Sequence, residues 1–361
     1  MIDITRLLFF PSTLNNRDMP MKSSVNPRLL NDPFLDPGIY IPFTYEKRAV
    51  MFDLGETTLL TPKDLLKITH VFVTHAHMDH FIGFDRLLRI FLGRDKELHI
   101  FGPPGFFEHV EGKLKGYTWN LVEEYNYNLV LKVSEVHKNE IFTRKYPCKN
   151  AFDYDVTEKR DIVSGILYEN PGFLIKGVLL DHRIPCLGLS LEENSTINII
   201  KEELEKLNLE VGPWLTRFKK AVYSDISANT DFFVTREKNG VILEEKRFTL
   251  GELTKKIARI TQGQKITYIT DVIGSGENQK KIIDLARDSD HLFIEAAFMN
   301  RDISTAREKY HLTTGEAGRF AREAGAKKLT LFHFSPRYSH IKDELIDEAM
   351  KAFNTKERKI S

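Results

Sequence analysis

His75-Ala76-His77-Met78-Asp79-His80 places three imidazoles and one carboxylate within six consecutive positions, directly after His70-Val71-Phe72-Val73-Thr74. The preceding run is β-branched and aromatic and reads as a strand. A strand end fixes the backbone, and the following turn lets alternate side chains converge, which rigid coordination requires. Imidazole and carboxylate are the ligand types of zinc and related divalent ions. The alternative is an accidental cluster of surface histidines, and the spacing at a strand end argues against it.

Six positions cannot complete two metal sites, so further ligands are expected at other strand ends. Asp181-His182-Arg183-Ile184-Pro185 follows the apolar strand Phe173 to Leu180. Tyr268-Ile269-Thr270-Asp271 brings a carboxylate to another strand terminus, and Leu329-Thr330-Leu331-Phe332-His333 brings an imidazole to a third. Each alone is a weak signal, because a lone histidine at a strand end is more often structural. Their shared placement joins them. Two metals held ~3.5–4 Å apart require a bridging carboxylate, for which Asp271 is the natural candidate.

Around these ligands the chain alternates strands and helices. Ile4 to Phe10 reads as a strand, and Pro11 to Pro42 as polar, proline-punctuated loop. Ala49 to Leu54 is a buried strand ending on an acidic turn. Thr61 as N-cap with Pro62 at N1 predicts a short helix over Thr61 to Ile68, and a second helix follows from Phe84 to Leu92. Short strands are expected at Leu98 to Phe101, Leu129 to Val136, Gly165 to Tyr168 and Gly172 to Leu180. Asn198 to Leu207 has helical spacing, Val234 to Phe248 reads as a hairpin around Asn239-Gly240, and Gly251 to Ile260 as helix. Thr313 to Ala324 is an amphipathic helix with Gly325 as its C′ residue. No solenoid repeat occurs. The two halves imply an α/β fold with two sheets facing one another.

The chain has 361 residues, with 52 Lys+Arg against 51 Asp+Glu and a net charge of +1. Its 42% hydrophobic and 29% charged residues exclude a disordered or fibrous chain. Near-neutrality excludes a wholesale basic surface, so a nucleic-acid partner must be held by local patches. Cys148 and Cys186, the two cysteines, are too few for a disulfide framework or a cysteine-rich zinc module, which points to a reducing, cytoplasmic setting. No run approaches the ~20 apolar residues that span a bilayer, so no membrane association is expected.

The set His75, His77, Asp79, His80, His182, Asp271 and His333 resembles the metallo-β-lactamase superfamily in its dinuclear form. Within it, several segments resemble the ribonuclease Z family of tRNA 3′-processing endonucleases. Phe52-Asp53-Leu54-Gly55-Glu56 is similar to the strand and turn before that family's metal motif, and Leu180 to Gly188 to its third-histidine segment. Glu295-Ala296-Ala297 resembles its Glu-Ala-Thr stretch. His311-Leu312-Thr313 through Ala317, and His333-Phe334-Ser335-Pro336-Arg337-Tyr338, resemble its last two motifs.

The resemblance implies a four-layer αββα metallo-β-lactamase sandwich, a single domain over residues 1–361 with an inserted arm or capping segment at about 190–262. His75, His77 and His182 would hold one metal, and Asp79, His80 and His333 the other, with Asp271 bridging. Two zinc ions are the implied cofactors, with manganese or iron able to use the same ligands. Asp79 would also receive the proton of the attacking water. His311 would contact the scissile phosphate and protonate the leaving 3′-oxygen, and Glu295 would support His311. The implied partner is precursor tRNA, cut 3′ to the discriminator nucleotide, and the implied assembly a homodimer.

Three functional classes stay open at this level: a tRNA 3′ endonuclease, a dinuclear hydrolase acting on a small phosphodiester, sulfate ester or lactone, and a non-catalytic metal-fold module. The complete ligand set and His311 disfavour the third. Departures from the family pattern are Thr270-Asp271-Val272, where the family has Gly-Asp-Thr, and a Pro-rich insertion from Asn26 to Pro42. Residues 201–220 hold five basic and four acidic side chains, and residues 236–265 hold eight and four. That local excess of four reads either as a phosphate contact or as an ordinary solvated surface. His70, His99, His109, His137, His291 and His340, Trp119 and Trp214, and Cys186 read as core or surface residues without a chemical role.

Overall fold

A computed structural model describes residues 24–154, 156–224, 226–238 and 241–355. Two sheets dominate it. An eight-stranded sheet runs in chain order through Arg28–Leu29, Ile39–Pro42, Ala49–Phe52, Ile68–Phe72, Lys96–Gly102, Leu129–Val136, Glu140–Pro147 and Thr157–Asp161. A six-stranded sheet is ordered Leu329–Phe332, His291–Glu295, Lys265–Ile269, Ile184–Glu193, Phe173–His182, Ile166–Glu169. The strands Ala49–Phe52, Ile68–Phe72, Lys96–Gly102 and Leu129–Val136 run parallel, as do Lys265–Ile269, His291–Glu295 and Leu329–Phe332.

Side-chain alternation along each strand builds the layers. Met51, Val71 and Ile100 pack outward with Phe84, Leu88, Phe106 and Val110 of the helices Phe84–Phe91 and Phe106–Lys115. Their neighbours Val50, Phe52, Phe72 and Phe101 turn inward, against Leu187, Leu189, Tyr268, Phe293 and Phe332 of the second sheet. On the far side of that sheet, Ile269, Leu292, Ile294 and Leu331 meet Ile282, Ala317, Phe320 and Leu345 of the helices Gly276–Ala286, Thr314–Glu323 and Lys342–Asn354. The result is the α–β–β–α sandwich. Strands buried on both faces read as continuous apolar runs, which is why the parallel ones stood out in the sequence.

Residues between Glu193 and Lys265 leave this sandwich and carry a core of their own, formed by Ile197, Leu204, Trp214, Phe218, Val234, Leu253, Ile257 and their neighbours. The excursion starts and ends where Glu193 N–H donates to the Gln264 carbonyl at 2.9 Å. Strand Ile184–Glu193 runs away from His182, and Lys265–Ile269 runs back toward Asp271. Ten residues of extended chain put this root roughly 30 Å from the ligand end of the sheet. The satellite therefore springs from the opposite ends of these two interior strands.

Several local expectations need correction. The segment Pro11 to Pro42, read as loop, contributes the edge strand Arg28–Leu29 and its neighbour Ile39–Pro42, in which Tyr40 faces one core while Ile39 and Ile41 face the other. The helix expected over Thr61 to Ile68 stops at Leu65, since Ile68 already pairs with Ala49. Asn198 to Leu207 divides at Ile200 into the strand Thr196–Ile199 and the helix Lys201–Lys206. The Thr249/Glu252 capping box starts a helix at Leu250, which ends at Ile257 and gives way to the strand Ala258–Thr261. The hairpin is longer than expected, Asp231–Lys238 with Val241–Thr249, and its turn at 239–240 lies outside the described residues, as does the strand expected at Ile4 to Phe10. No helix among the described residues is long and apolar enough to cross a membrane.

His109 and His340 are exposed, whereas His70 bridges the two sheets, its ring centroid 4.0 Å from that of Tyr168. Burial, assisted by the charges of Arg48 and Lys132, pulls the His70 imidazole down to about 4. An unfolded histidine titrates near 6.5, so the unfolded chain binds the proton more tightly between these values. The stabilising contribution of neutral His70 is complete above pH ~6.5 and is lost as pH falls toward 4, a difference of about 3 kcal/mol. In urea titrations at pH 7 and 4.5, His70→Gln should be closer to wild type at the lower pH. A gap that stays constant would show that His70 is not held neutral.

Candidate metal centre

The first ligand segment follows strand Ile68–Phe72 and turns into the short helix Met78–Phe81, with His77 as its N-cap residue, Asp79 in its first turn and His80 in its last. Gly55 and Gly83 permit the close packing behind it. A Cβ on Gly55 would lie 2.5 Å from the Pro37 carbonyl and 2.9 Å from that of Asp79, and one on Gly83 would lie 2.4 Å from the Gly55 carbonyl. The Pro-rich segment braces the opposite wall. Phe334 N–H, next to His333, donates to the Pro33 carbonyl at 2.8 Å, and the Phe34 and Phe334 rings meet at 5.3 Å.

All seven ligand candidates come together. Ligand atoms of His75, His77, His182 and Asp271 lie within 4.8 Å of one another, and so do those of Asp79, His80 and His333. Asp271 stands between the sets: its Oδ2 is 3.6 Å from His75 Nε2, 3.5 Å from His80 Nε2 and 3.5 Å from His182 Nε2, and its Oδ1 is 3.0 Å from His333 Nδ1. His80 Nε2 is 3.5 Å from Asp79 Oδ2, and His333 Nε2 is 3.2 Å from it. The contacts of 3.5–3.6 Å are too long for good hydrogen bonds and suit ligands disposed around a common centre.

The donor set fits divalent metal on independent grounds. His75 Nε2, His80 Nε2 and His333 Nδ1 are buried without a hydrogen-bond partner. Such orphans are costly unless something satisfies them. Burial and the neighbouring His80 charge drive His75 down to about 2. Burial opposes charge on His80 as well, but Asp271 and Asp53 outweigh it and lift that group to about 10. Asp271 is buried, yet His333 and His80 hold its carboxyl well below the usual range. A pocket that holds the buried Asp271 carboxyl ionised beside the neutral His75 imidazole is one that a cation completes.

The supporting shell was mostly invisible in the sequence. Asp53 is fully buried: Oδ1 accepts Thr74 N–H at 2.7 Å, and Oδ2 accepts the Thr74 hydroxyl at 3.0 Å, His80 Nδ1 at 2.8 Å and the Tyr268 hydroxyl at 2.9 Å. Its available signal was an acid at the end of an apolar strand, just before the histidine motif. His182 Nδ1 donates to the Tyr310 carbonyl at 2.8 Å, which turns Nε2 toward Asp271. The departure at Thr270 and Val272 is accommodated: the Thr270 hydroxyl donates to Asp271 Oδ1 at 2.8 Å, and Val272 N–H to Glu295 Oε1 at 2.9 Å. Cys186 is buried, with Sγ 3.3 Å from the Thr270 carbonyl, and packs beneath the site.

Glu295, also fully buried, meets His311 Nδ1 at 3.1 and 3.2 Å. The His311 ring centroid is 5.0 Å from that of His182 and 5.4 Å from that of His333. His311 also falls within 4.8 Å of Asp271 and His333 by ligand atoms, but its Nδ1 is committed to Glu295. Asp53, Arg183, Asp271, Tyr310 and His333 all adopt left-handed φ between 43° and 60°. Non-glycine residues held in this region concentrate at functional loops.

The sandwich is a metallo-β-lactamase fold, and this cluster is its candidate metal site. The family described as the Beta-lactamase superfamily domain matches residues 28–144. The crystal structure of the metallo-β-lactamase-fold protein YhfI from Bacillus subtilis superposes with a TM-score of 0.50 at 15% identity, covering 91% of this chain and 92% of that one, a likeness of fold. Ribonuclease Z of Bacillus subtilis (strain 168) is 30% identical over 321 residues, 85% of each chain. Ribonuclease Z of Nanoarchaeum equitans is 30% identical over 300 residues, 81% of this chain and 77% of its own. The chain belongs to the ribonuclease Z family.

Removing a carboxylate that orients a ligating histidine typically costs 10–100-fold in metal affinity. Asp53→Asn should show a loss of that size in competition with a chromophoric chelator, while far-UV circular dichroism reports an intact fold. Undiminished affinity would mean that Asp53 serves the sheets alone.

Proposed function

We propose that the protein is a metal-dependent endoribonuclease that removes the 3′ trailer of precursor tRNA, with two zinc ions as its resident metals. The observation that carries this reading is the convergence of six ligand candidates around a seventh, Asp271, beside a histidine backed by a buried glutamate, in a chain of the ribonuclease Z family. On this reading His75, His77 and His182 hold one ion, Asp79, His80 and His333 the other, and Asp271 bridges. Manganese or iron would use the same donors. When bound, the ion pair supplies charge neutralisation on the phosphate and a water acidic enough to attack near neutral pH.

The chain's own groups supply the remainder. Asp79 is half-exposed at the mouth, and its carboxyl is held down to about 2 because the hydrogen bond from His333 and the charge of His80 outweigh burial. An ionised carboxylate there accepts the proton of the attacking water. His311 faces the opposite problem, since a proton donor must keep its proton until the leaving 3′-oxygen needs it. Burial opposes charge on His311, but the Glu295 carboxylate prevails and raises it above the ordinary histidine value. Glu295 is fixed by backbone N–H groups of Val272 and Ala297, so it also sets the ring's direction.

The satellite supports a large substrate. Its root lies at the strand ends remote from the ligand candidates, and a folded tRNA extends well beyond its scissile phosphate. We read it as the inserted arm of a single domain and the working protein as a homodimer.

The zinc-loaded protein should cleave a precursor transcript bearing a 3′ trailer to give a tRNA 3′-hydroxyl and a trailer 5′-phosphate, and His75→Ala and Asp79→Ala should abolish cleavage. Intact transcript alongside rapid hydrolysis of a small diester would overturn the reading. His311→Ala should lower kcat by about 10²–10⁴-fold with the metal retained. Because Glu295 raises the His311 value, Glu295→Gln should move the alkaline limb of the kcat/KM profile to lower pH. A limb that stays in place would remove His311 as proton donor.

A further inference from the structure

Two exposed arginines at the mouth of the metal centre share an arrangement that the mechanism above leaves unused. Arg183 follows the ligand candidate His182 directly and takes a left-handed φ of 60°. Its guanidinium lies 4.6 Å from the ring centroid of Tyr310, the residue before His311, and its Nη2 donates to the Glu308 carbonyl at 3.3 Å. Arg337 comes four residues after the ligand candidate His333. Its guanidinium lies 5.3 Å from the ring centroid of Phe298, and the Phe298 ring is 6.1 Å from that of His311. Each arginine thus lies near an aromatic ring close to His311, one directly after His182 in the chain and the other four residues after His333.

Neither guanidinium has a carboxylate partner among the described residues. Arg307 near the same loop differs, because Glu316 binds both of its terminal nitrogens. A guanidinium close to an aromatic ring keeps its charge and most of its donors, and the contact limits the rotamer freedom left to lose when it binds an anion. Its planar fork matches two phosphate oxygens. A polynucleotide offers such groups at every nucleotide, before and after the bond being cut.

We infer that Arg183 and Arg337 hold the ribose-phosphate chain on the two flanks of the scissile phosphate, an inference that rests on the endoribonuclease reading. They bind and align flanking phosphates and take no part in proton transfer. Without a carboxylate partner in the free protein they remain available for the substrate, and their aromatic contacts restrain them near the site.

The test uses the full-length zinc-loaded protein and a precursor tRNA transcript, with kcat, KM, bound metal and the salt dependence of kcat/KM measured for Arg183→Ala, Arg337→Ala, the double variant and the two Arg→Lys variants. Each alanine variant should raise KM about tenfold, with kcat within about threefold and bound metal unchanged, and should lessen the slope of log(kcat/KM) against log[salt] by ~0.7–0.9. Each lysine variant should recover the slope and only part of the KM, because the charge returns without the stacked fork. An active wild type whose alanine variants keep their KM and slope overturns the inference alone. Loss of kcat together with bound metal also overturns it, since the arginines would then be bracing His182 and His333. A wild type that leaves the transcript intact overturns the endoribonuclease reading, and this inference with it.

Discussion

The buried carboxylate of Asp53 ties the two sheets to the metal loop. It ends a strand of the first sheet, accepts the Tyr268 hydroxyl from the second, and holds both Thr74 and His80 of the ligand segment. A carboxyl group without exposure to water is tolerable only when its oxygens are filled by hydrogen-bond partners. The donors come from positions 21, 27 and 215 residues away, so the site cannot assemble until the sandwich has closed. Closing the sandwich in turn commits His80 Nδ1 to Asp53 and leaves Nε2 facing Asp271. Core formation and ligand orientation are the same event.

That dependence explains what could be read in the sequence and what could not. His75, His77, Asp79 and His80 are legible because they are neighbours in the chain, and coordination chemistry constrains their spacing directly. His182, Asp271 and His333 are legible because each ends an apolar strand. Tyr268 and the Tyr310 carbonyl act only through long-range contacts and carry no local signature; Asp53 carries only its place at a strand end. The same limit governs the fold. The central parallel strands, apolar on both faces, are plain, whereas Ile39–Pro42 was obscured by surrounding prolines. Its pairing with Ala49–Phe52, and not its own composition, makes it a strand. At Ile200 helical periodicity runs straight through a boundary that pairing with Ala258–Thr261 imposes.

Backbone conformation concentrates at the same edge of the molecule. Asp53 follows a strand of the first sheet, and Asp271 and His333 come after strands of the second, and each takes a left-handed turn. Such a turn redirects the chain within one residue, so a side chain at a strand terminus can point across the sheet edge instead of along its face. Non-glycine side chains disfavour this conformation, so it persists where the surroundings enforce it. Here they do: Asp271 has its hydroxyl donor on Thr270, and His333 is followed by Phe334, whose N–H is anchored on Pro33. The ligands are thereby presented on backbone that cannot relax away from the centre, which is what preorganisation for metal binding demands.

A chain with 52 basic and 51 acidic residues is an unpromising partner for a polyanion if charge is counted globally. The count misleads because ion pairing removes many of those charges from use. Lys113 is spent on Asp85, Arg144 on Glu111, Lys176 and Lys265 on Glu192, and Arg307 on Glu316. What a phosphate chain encounters is the residue left over, and where it lies. At the metal mouth the leftover is cationic: unpaired guanidiniums on aromatic supports, next to a cluster whose imidazoles and carboxylates are arranged to receive divalent ions. Exposed charges more than a Debye length of about 8–10 Å away contribute little at physiological salt. Overall neutrality is therefore compatible with binding a polyanion through a few local positive groups.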